Sequence, residues 1–269
     1  MKILIVERYG DPEIAAFAAD LERLLVHHGH HPARYTGNLF SDVNPLFHSL
    51  TAPDLIIVVG GDGTILLTTQ RMPIQIPLIG INYGDVGFLA DIEPEEVPTF
   101  VSQLTLPLPV EERMRINLSI KNELVGVALN EALIVTERPA KMLKFIISIN
   151  GVIAEQFRAD GLIISTPTGS TAYAMSAGGP IVDPKVEGFL MVPLAPFMLS
   201  NRPHLIDSSR AVSITLKASK PVKLVIDGQT EMHLENNCTI DIAKSHEPAL
   251  FLDVNRNFFE KINRKLRHL

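Results

Sequence analysis

Residues 54–71, Asp54-Leu55-Ile56-Ile57-Val58-Val59-Gly60-Gly61-Asp62-Gly63-Thr64-Ile65-Leu66-Leu67-Thr68-Thr69-Gln70-Arg71, decide how the first half of this chain folds. Its aliphatic run lacks the alternation of a half-exposed strand, which predicts a strand covered on both faces, as in a parallel sheet. The glycine-rich turn leads into a predicted helix over Ile65–Arg71, so the stretch reads as one βα unit. Consecutive glycines let a backbone approach phosphates closely, and a helix beginning just beyond offers free N–H groups and a positive dipole end. Gly60, Gly61, Gly63 and Thr64 therefore form a candidate phosphate loop. Asp62 at its centre has two readings, a helix cap or a group that does chemistry. A carboxylate beside bound phosphates repels them unless it faces a hydroxyl whose proton it takes, or a magnesium ion that screens it. The loop is not a Walker A loop, which ends in Gly-Lys-Ser/Thr.

On either side the pattern repeats. Ile3-Leu4-Ile5-Val6 is another continuous apolar run, followed by Ile14, Phe17, Ala18, Leu21, Leu24 and Leu25 at helical spacing, with Gly29 and Pro32 as stops. A third strand is predicted at Pro77–Ile81, then the glycine-rich segment Asn82–Asp91 and a helix near Glu95–Leu104. These units predict a Rossmann-like α/β domain over residues 1–104. TLPLPVEERM, from residue 105, has the composition of a linker. Beyond it strands are expected at Arg115–Ile120, Val125–Thr136, Lys144–Phe157, Val212–Leu216, Val222–Ile226 and Thr239–Ile242, with Asn150-Gly151 as a two-residue hairpin turn. The second domain, residues 105–249, should be an antiparallel β-sandwich. Phe258, Phe259, Ile262 and Leu266 then recur at helical spacing, in a tail from about 250 to 269 expected to pack back on the first domain.

Composition narrows the partners. The 269 residues are 46% hydrophobic and 20% charged, a globular balance, and the net charge of −6 offers no basic footprint for a nucleic-acid backbone. A nucleotide partner would have to be small. The single cysteine, Cys238, excludes an intrachain disulfide, and the early charges of MKILIVERYGD do not resemble a secretory signal, so a cytoplasmic location is expected. No run approaches the roughly 18 apolar residues of a membrane-spanning helix, so no membrane partner is expected.

Further motifs carry polar chemistry. In Arg158 to Tyr173, RADGLIISTPTGSTAY, the buried strand LIIS is followed by TPTGSTAY, which offers five Ser/Thr/Tyr side chains, Thr168 and Thr171 among them, to something polar such as ribose or phosphate; the alternative is a loop that caps a helix from Ala172 onward. Asn130-Glu131, an amide and a carboxylate in an apolar strand region, suits an adenine edge or a ribose diol. Asp227-Gly228-Gln229 reads as a hairpin turn first and a ligand contact second. His27, His28, His30 and His31 resemble a metal site, yet adjacent histidines at a helix end rarely converge and they suit the negative dipole end, so no metal-ligating residue is assigned. No Gly-x-Ser-x-Gly elbow supports Ser/His/Asp catalysis.

Taken in order, GGDGT (60–64), NYGDVGFLA (82–90), NEA (130–132), ADGLIISTPTGSTAYAMSAGGPIV (159–182) and VPLAPFMLSNRP (192–203) resemble the NAD kinases, over nearly the whole chain. GGDG alone is shared with diacylglycerol kinases and, in related form, 6-phosphofructokinases; the block ending in AGGPIV is far more specific. The resemblance implies transfer of the γ-phosphoryl of ATP, or of a phosphoryl from polyphosphate, to the 2′-hydroxyl of the adenosine ribose of NAD(H), with magnesium accompanying ATP. It implies Asp62 as general base, Gly63 beside it, Phe88 as a pocket wall, and Asn130 and Glu131 on the adenosine end of NAD. Asp160 with Thr168, Thr171, Ala172, Tyr173, Ala174, Met175 and Ser176 would complete the pocket, in part from a neighbouring subunit of a homodimer or homotetramer. Lys141, Arg158, Ala195 and Gln229 fall at further positions lining the family's site. Three departures stand out: Tyr83 within Asn-Tyr-Gly where relatives have threonine, Ala159 where glycine is usual, and Phe197 where histidine is common. The rival readings are a lipid or sugar kinase using the same loop, and a non-catalytic dinucleotide-binding regulator in which Asp62 is only a cap.

Overall fold

The structure, a computed structural model, describes residues 1–39, 52–84, 87–137, 142–198, 200–219 and 221–266. The chain divides into two compact units, Met1–Glu112 with Ala249–Leu269, and Arg113–Pro248.

The first unit begins with strand β1 (Lys2–Glu7), helix α1 (Pro12–His27) and strand β2 (His31–Tyr35). Asp11 caps α1 by accepting from the amides of Glu13 and Ile14, and Ile14, Ala18, Leu21 and Leu25 are buried, the stripe that the helical spacing predicts. Next come β3 (Leu55–Gly60), buried along its whole length, α2 (Asp62–Arg71) and β4 (Leu78–Asn82). Strands β1, β2, β3 and β4 pair in parallel. Helix α2 starts three residues earlier than its apolar residues indicate, so Asp62 is helical. A 3-10 turn (Pro94–Glu96), α3 (Val97–Gln103) and β5 (Val110–Arg113) follow. Strand β5 lies within the supposed linker, whose proline-rich composition conceals it.

The second unit carries two antiparallel sheets. Its strands are β6 (Ile116–Ile120), β7 (Glu123–Ala128), β8 (Glu131–Thr136), β9 (Leu143–Ile149), β10 (Val152–Ala159) and β11 (Gly161–Ser165). After the short helix α4 (Tyr173–Ser176) come β12 (Gly188–Leu194), β13 (His204–Asp207), β14 (Val212–Lys217), β15 (Val222–Ile226), β16 (Thr230–Leu234) and β17 (Asn237–Lys244). One sheet runs β10-β9-β14-β17-β6-β7, the other β13-β12-β11-β8-β15-β16. Phe145, Ile214 and Ile240 of the first and Ile134, Leu162, Phe189 and Leu224 of the second share one core, the face-to-face packing of a sandwich. Asn150 and Gly151 both have positive φ, as a type I′ turn demands. The expected single strand Val125–Thr136 is two strands in different sheets, broken at Leu129–Asn130. Finally β18 (Ala249–Leu252) returns to the first unit, whose sheet reads β2-β1-β3-β4-β18-β5, and α5 (Phe258–Leu266) ends the described chain.

Candidate functional site

In the first unit the phosphate-loop candidate joins β3 to α2. Gly61 is the N-cap in extended conformation and no side chain caps the helix; Thr64 N donates to Gly61 O (3.0 Å), and the amides ahead of it at the helix start have no intrahelical carbonyl to bond. Close approach explains two of the glycines. A Cβ on Gly60 would lie 2.6 Å from Thr64 Oγ1, and one on Gly84 would lie 3.2 Å from the Cα of Gly61. The neighbouring Asn82–Gly84 turn is tied down: Tyr83 N donates to Gly60 O (3.0 Å), Gly84 N to Asn82 Oδ1 (3.1 Å) and Asn82 Nδ2 to Glu93 Oε2 (3.1 Å). Tyr83 itself turns its ring onto Phe17, centroids 5.0 Å apart, so this departure from the family pattern packs into the first unit's core. Burial raises its phenol above the ordinary value.

Asp62 does not cap its own helix. Its carboxylate reaches across to the 88–90 segment, accepting from Phe88 N (2.6 Å), Leu89 N (2.9 Å) and, at longer range, Ala90 N (3.4 Å). Those amides fix the carboxylate's position. A carboxylate has about four lone-pair sites, so one remains for a hydroxyl. Phe88, whose amide makes the shortest of these bonds, is half-buried, and the segment following is clamped onto β4 by Asp91 N and Ile92 N, which both donate to Gly80 O.

In the second unit the crossover from β7 to β8 is the organising point. Asp227, 3% exposed and at φ +49° in the β15–β16 turn, accepts from Leu129 N (2.8 Å), Asn130 N (2.7 Å) and Glu131 N (3.0 Å). This grip breaks the strand and aims Asn130 and Glu131. The sequence reads Asp227 as a turn residue; the signal for its second task is an aspartate, rather than an asparagine, directly after the apolar Leu224-Val225-Ile226. The 165–171 segment packs on the same crossover: Thr166 Oγ1 donates to Leu129 O (2.6 Å), Ser165 Oγ to Asn130 O (3.1 Å), and a Cβ on Gly169 would overlap the Asn130 carbonyl.

The hydroxyls of this segment are thus mostly scaffold. Thr166 and Ser165 bind the crossover, Ser170 Oγ donates to Val182 O (3.2 Å) and Thr171 Oγ1 to Thr168 O (3.3 Å), so the density of hydroxyls that suggested a ligand largely reflects internal fastening. Ala174 is fully buried with Ile163, Leu190 and Val192, whereas Tyr173 and Ser176 are exposed and Ala172 and Met175 half-buried. Arg158 is exposed, and its carbonyl accepts from Phe197 N. Phe197 is exposed, Ala195 adopts φ +44°, and Gln229 is half-buried in the Asp227 turn. Ala159 lies in β10 without a positive φ, so the missing glycine leaves Asp160 in register. Lys141 lies outside the described residues.

Among the described residues of this unit, four buried side-chain oxygens have no hydrogen-bond partner, Asn117 Oδ1 in β6 and, in the motifs, Asn130 Oδ1, Glu131 Oε2 and Asp160 Oδ1. Buried polar atoms are nearly always paired, so these are atoms awaiting donors. Burial, and then the Asp227 carboxylate, push the Glu131 carboxyl up to about 8, so at neutral pH it carries a proton. Among the described residues no group of three or more His, Cys, Asp or Glu side chains could hold a metal ion, the histidines after α1 included. No described helix is long and apolar enough to cross a membrane.

Comparison with known proteins bears on both units. Residues 16–106 match the family model described as the ATP-NAD kinase N-terminal domain, and residues 129–254 that described as the ATP-NAD kinase C-terminal domain. The chain is 74% identical over 269 residues, 100% of both chains, to the NAD kinase of Methanospirillum hungatei. To that of Methanothermobacter thermautotrophicus it is 44% identical over 216 residues, 79% of this chain and 76% of the relative. Among solved structures, an NAD kinase from Archaeoglobus fulgidus in complex with ATP superimposes with TM-score 0.84 at 31% identity, covering 100% of both chains. Yeast NADH kinase complexed with NADH shares the fold, with TM-score 0.84 at 23% identity, covering 99% of this chain and 87% of that one.

Proposed function

Since the chain belongs to the ATP-NAD kinase family and phosphorylates NAD to NADP, we propose that Asp62 is the general base that takes the proton of the acceptor 2′-hydroxyl on the adenosine ribose. The observation that carries this is the Asp62 carboxylate itself, free of its own helix and held by the amides of residues 88–90 with a lone pair to spare. A sugar hydroxyl is a poor nucleophile at neutral pH, so a carboxylate within hydrogen-bond reach accepts its proton as the bond to phosphorus forms and the bond to the departing ADP breaks. The loop of Gly60, Gly61, Gly63 and Thr64 at the start of α2 faces the donor's phosphates with the glycine backbone and the Thr64 hydroxyl as donors. Magnesium, bound through those phosphates, would supply charge neutralisation of the transferring group.

The second unit is assigned the dinucleotide. Asn130 Oδ1, Glu131 Oε2 and Asp160 Oδ1 suit the hydroxyl and amine donors of a nucleoside, and Tyr173, Ser176, Gln229 and Arg158 present exposed or half-buried polar atoms on the same unit. ATP is the expected donor, polyphosphate a second one, and NADH an acceptor alongside NAD. The reading extends to a cytoplasmic location and to a homodimer or homotetramer; the oligomer is supported by the exposed Ile153, Phe197, Met198 and Leu205, and sedimentation of the active species checks it.

General bases typically contribute about 10²- to 10⁴-fold, so Asp62→Asn should lower kcat by that order while NAD affinity, measured by calorimetry, changes little. Turnover near that of the unaltered enzyme in purified Asp62→Asn would remove the assignment. Activity should also vanish on chelation of divalent metal and return with magnesium when ATP is the donor.

A further inference from the structure

We infer that Lys261, on the C-terminal helix, is a positioning residue for Asp62, acting through Asp91 and the 88–91 backbone. The inference rests on Asp62 being the general base. Helix α5 has no fully buried residue; Phe258, Ile262 and Leu266 lie half-buried along one stripe, and cations add to this seating. Lys261 Nζ lies 2.6 Å from Asp91 Oδ1, with the two side chains only 9% and 18% exposed; Arg264 and Lys265 approach Glu93 at 3.5 and 3.6 Å, and Arg256, just before the helix, reaches Glu96 at 2.5 Å. Their acidic partners Asp91, Glu93 and Glu96 come immediately after the amides that grip Asp62.

The connection between the two is short and stiff. Ala90, 2% exposed, donates to Asp62 and is bonded covalently to Asp91. Asp91 N and Ile92 N hold the segment on Gly80 O at 3.2 and 3.1 Å, and a Cβ on Gly80 would stand 3.0 Å from the Ala90 Cα, so the backbone has no slack on that side. Tail charge on one face and Asp62 on the other thus share one strip of backbone. All of these groups belong to the first unit. Removing one member of a largely buried pair leaves the other charge uncompensated, and the strip would move toward solvent to hydrate it. Asp62 would follow, because its position is set by those amides rather than by its own helix.

A misplacement of about 1 Å costs on the order of 10²-fold in rate, so Lys261→Met should lower kcat by roughly ten- to a hundred-fold with KM for NAD changed by less than about threefold. Asp91→Asn, which removes the same pair from its other side, should copy that loss, and Lys261→Arg should keep most of the activity. The deciding measurement is a double-mutant cycle. If Lys261 works through Asp62, then Asp62→Asn/Lys261→Met turns over no more slowly than Asp62→Asn alone. Undiminished losses that multiply in the double variant, or a folded Lys261→Met enzyme with unchanged kcat, would overturn the inference. Full turnover by Asp62→Asn alone is the separate result that defeats the base assignment. Lys121→Met, which breaks an exposed pair with Glu235 in the other unit, serves as the control and should leave kcat unchanged.

Discussion

At the scale of single residues, Glu131 is a carboxyl whose environment departs far from water. Burial and the nearby Asp227 carboxylate favour its neutral form, up to about pH 8, whereas the unfolded chain loses that proton near 4.5. Between those values the folded protein binds a proton that the unfolded one does not, so stability falls as pH rises through this window and levels off above it. The Glu131→Gln variant has no such proton. Relative to it, the ligand-free wild-type protein should lose on the order of a few kcal/mol between pH 5 and pH 8.5, read as diverging melting temperatures. Parallel curves would mean that Glu131 is ionised in the fold. The same residue reads differently for a ligand: hydroxyl donors from a nucleoside would favour the anion, so NAD binding should release protons near pH 7.5, a quantity calorimetry in two buffers measures.

At the scale of elements, the break between β7 and β8 shows a tertiary contact overriding a local pattern. Residues 125–136 read as one strand because their apolar character is nearly continuous, and nothing local stops it. The stop comes from Asp227, 97 residues away from Asn130, whose carboxylate collects three successive amides and sends the chain from one sheet to the other. A buried amide left without a partner costs about 1–3 kcal/mol, so Asp227→Ala should destabilise by at least about 3 kcal/mol, seen in the guanidinium midpoint, and should weaken NAD binding because Asn130 and Glu131 lose their aim. Asp227→Asn retains one acceptor oxygen and should lose less. A shift below about 1 kcal/mol for the alanine variant would show that these amides find other partners.

At the scale of the whole molecule, the two units differ in continuity. The second, Arg113–Pro248, is one uninterrupted segment with a core of its own, whereas the first needs β18 from the far end of the chain to join β4 and β5. Excised residues 113–248 should therefore fold and melt cooperatively alone, while residues 1–112 without 249–269 should not, because the sheet would keep an open edge and lose Phe251 and Leu252 from its interior. Circular dichroism and thermal melts of the two fragments test this. Equal stability of the first fragment with and without its C-terminal segment would contradict it.

Much of this was legible in order along the chain. Doubly buried runs at 3–6 and 55–59, helical spacing in 14–25 and the Asn150-Gly151 turn each act over a few residues, where sterics and local burial suffice. Strands β2, β13, β16 and β18 were not, since each is short and takes its place by pairing with an element distant in sequence or too brief to set a period. The sequence by itself determined the α/β and all-β halves, the βα phosphate turn and the residues of its polar motifs, because those follow from backbone freedom and the period of apolar side chains. Only the tertiary structure decided what those polar groups do. Whether Asp62 caps its helix or faces the 88–90 amides, and whether a hydroxyl in the 165–171 segment serves a ligand or the scaffold, depends on which donors long-range packing brings within 3 Å.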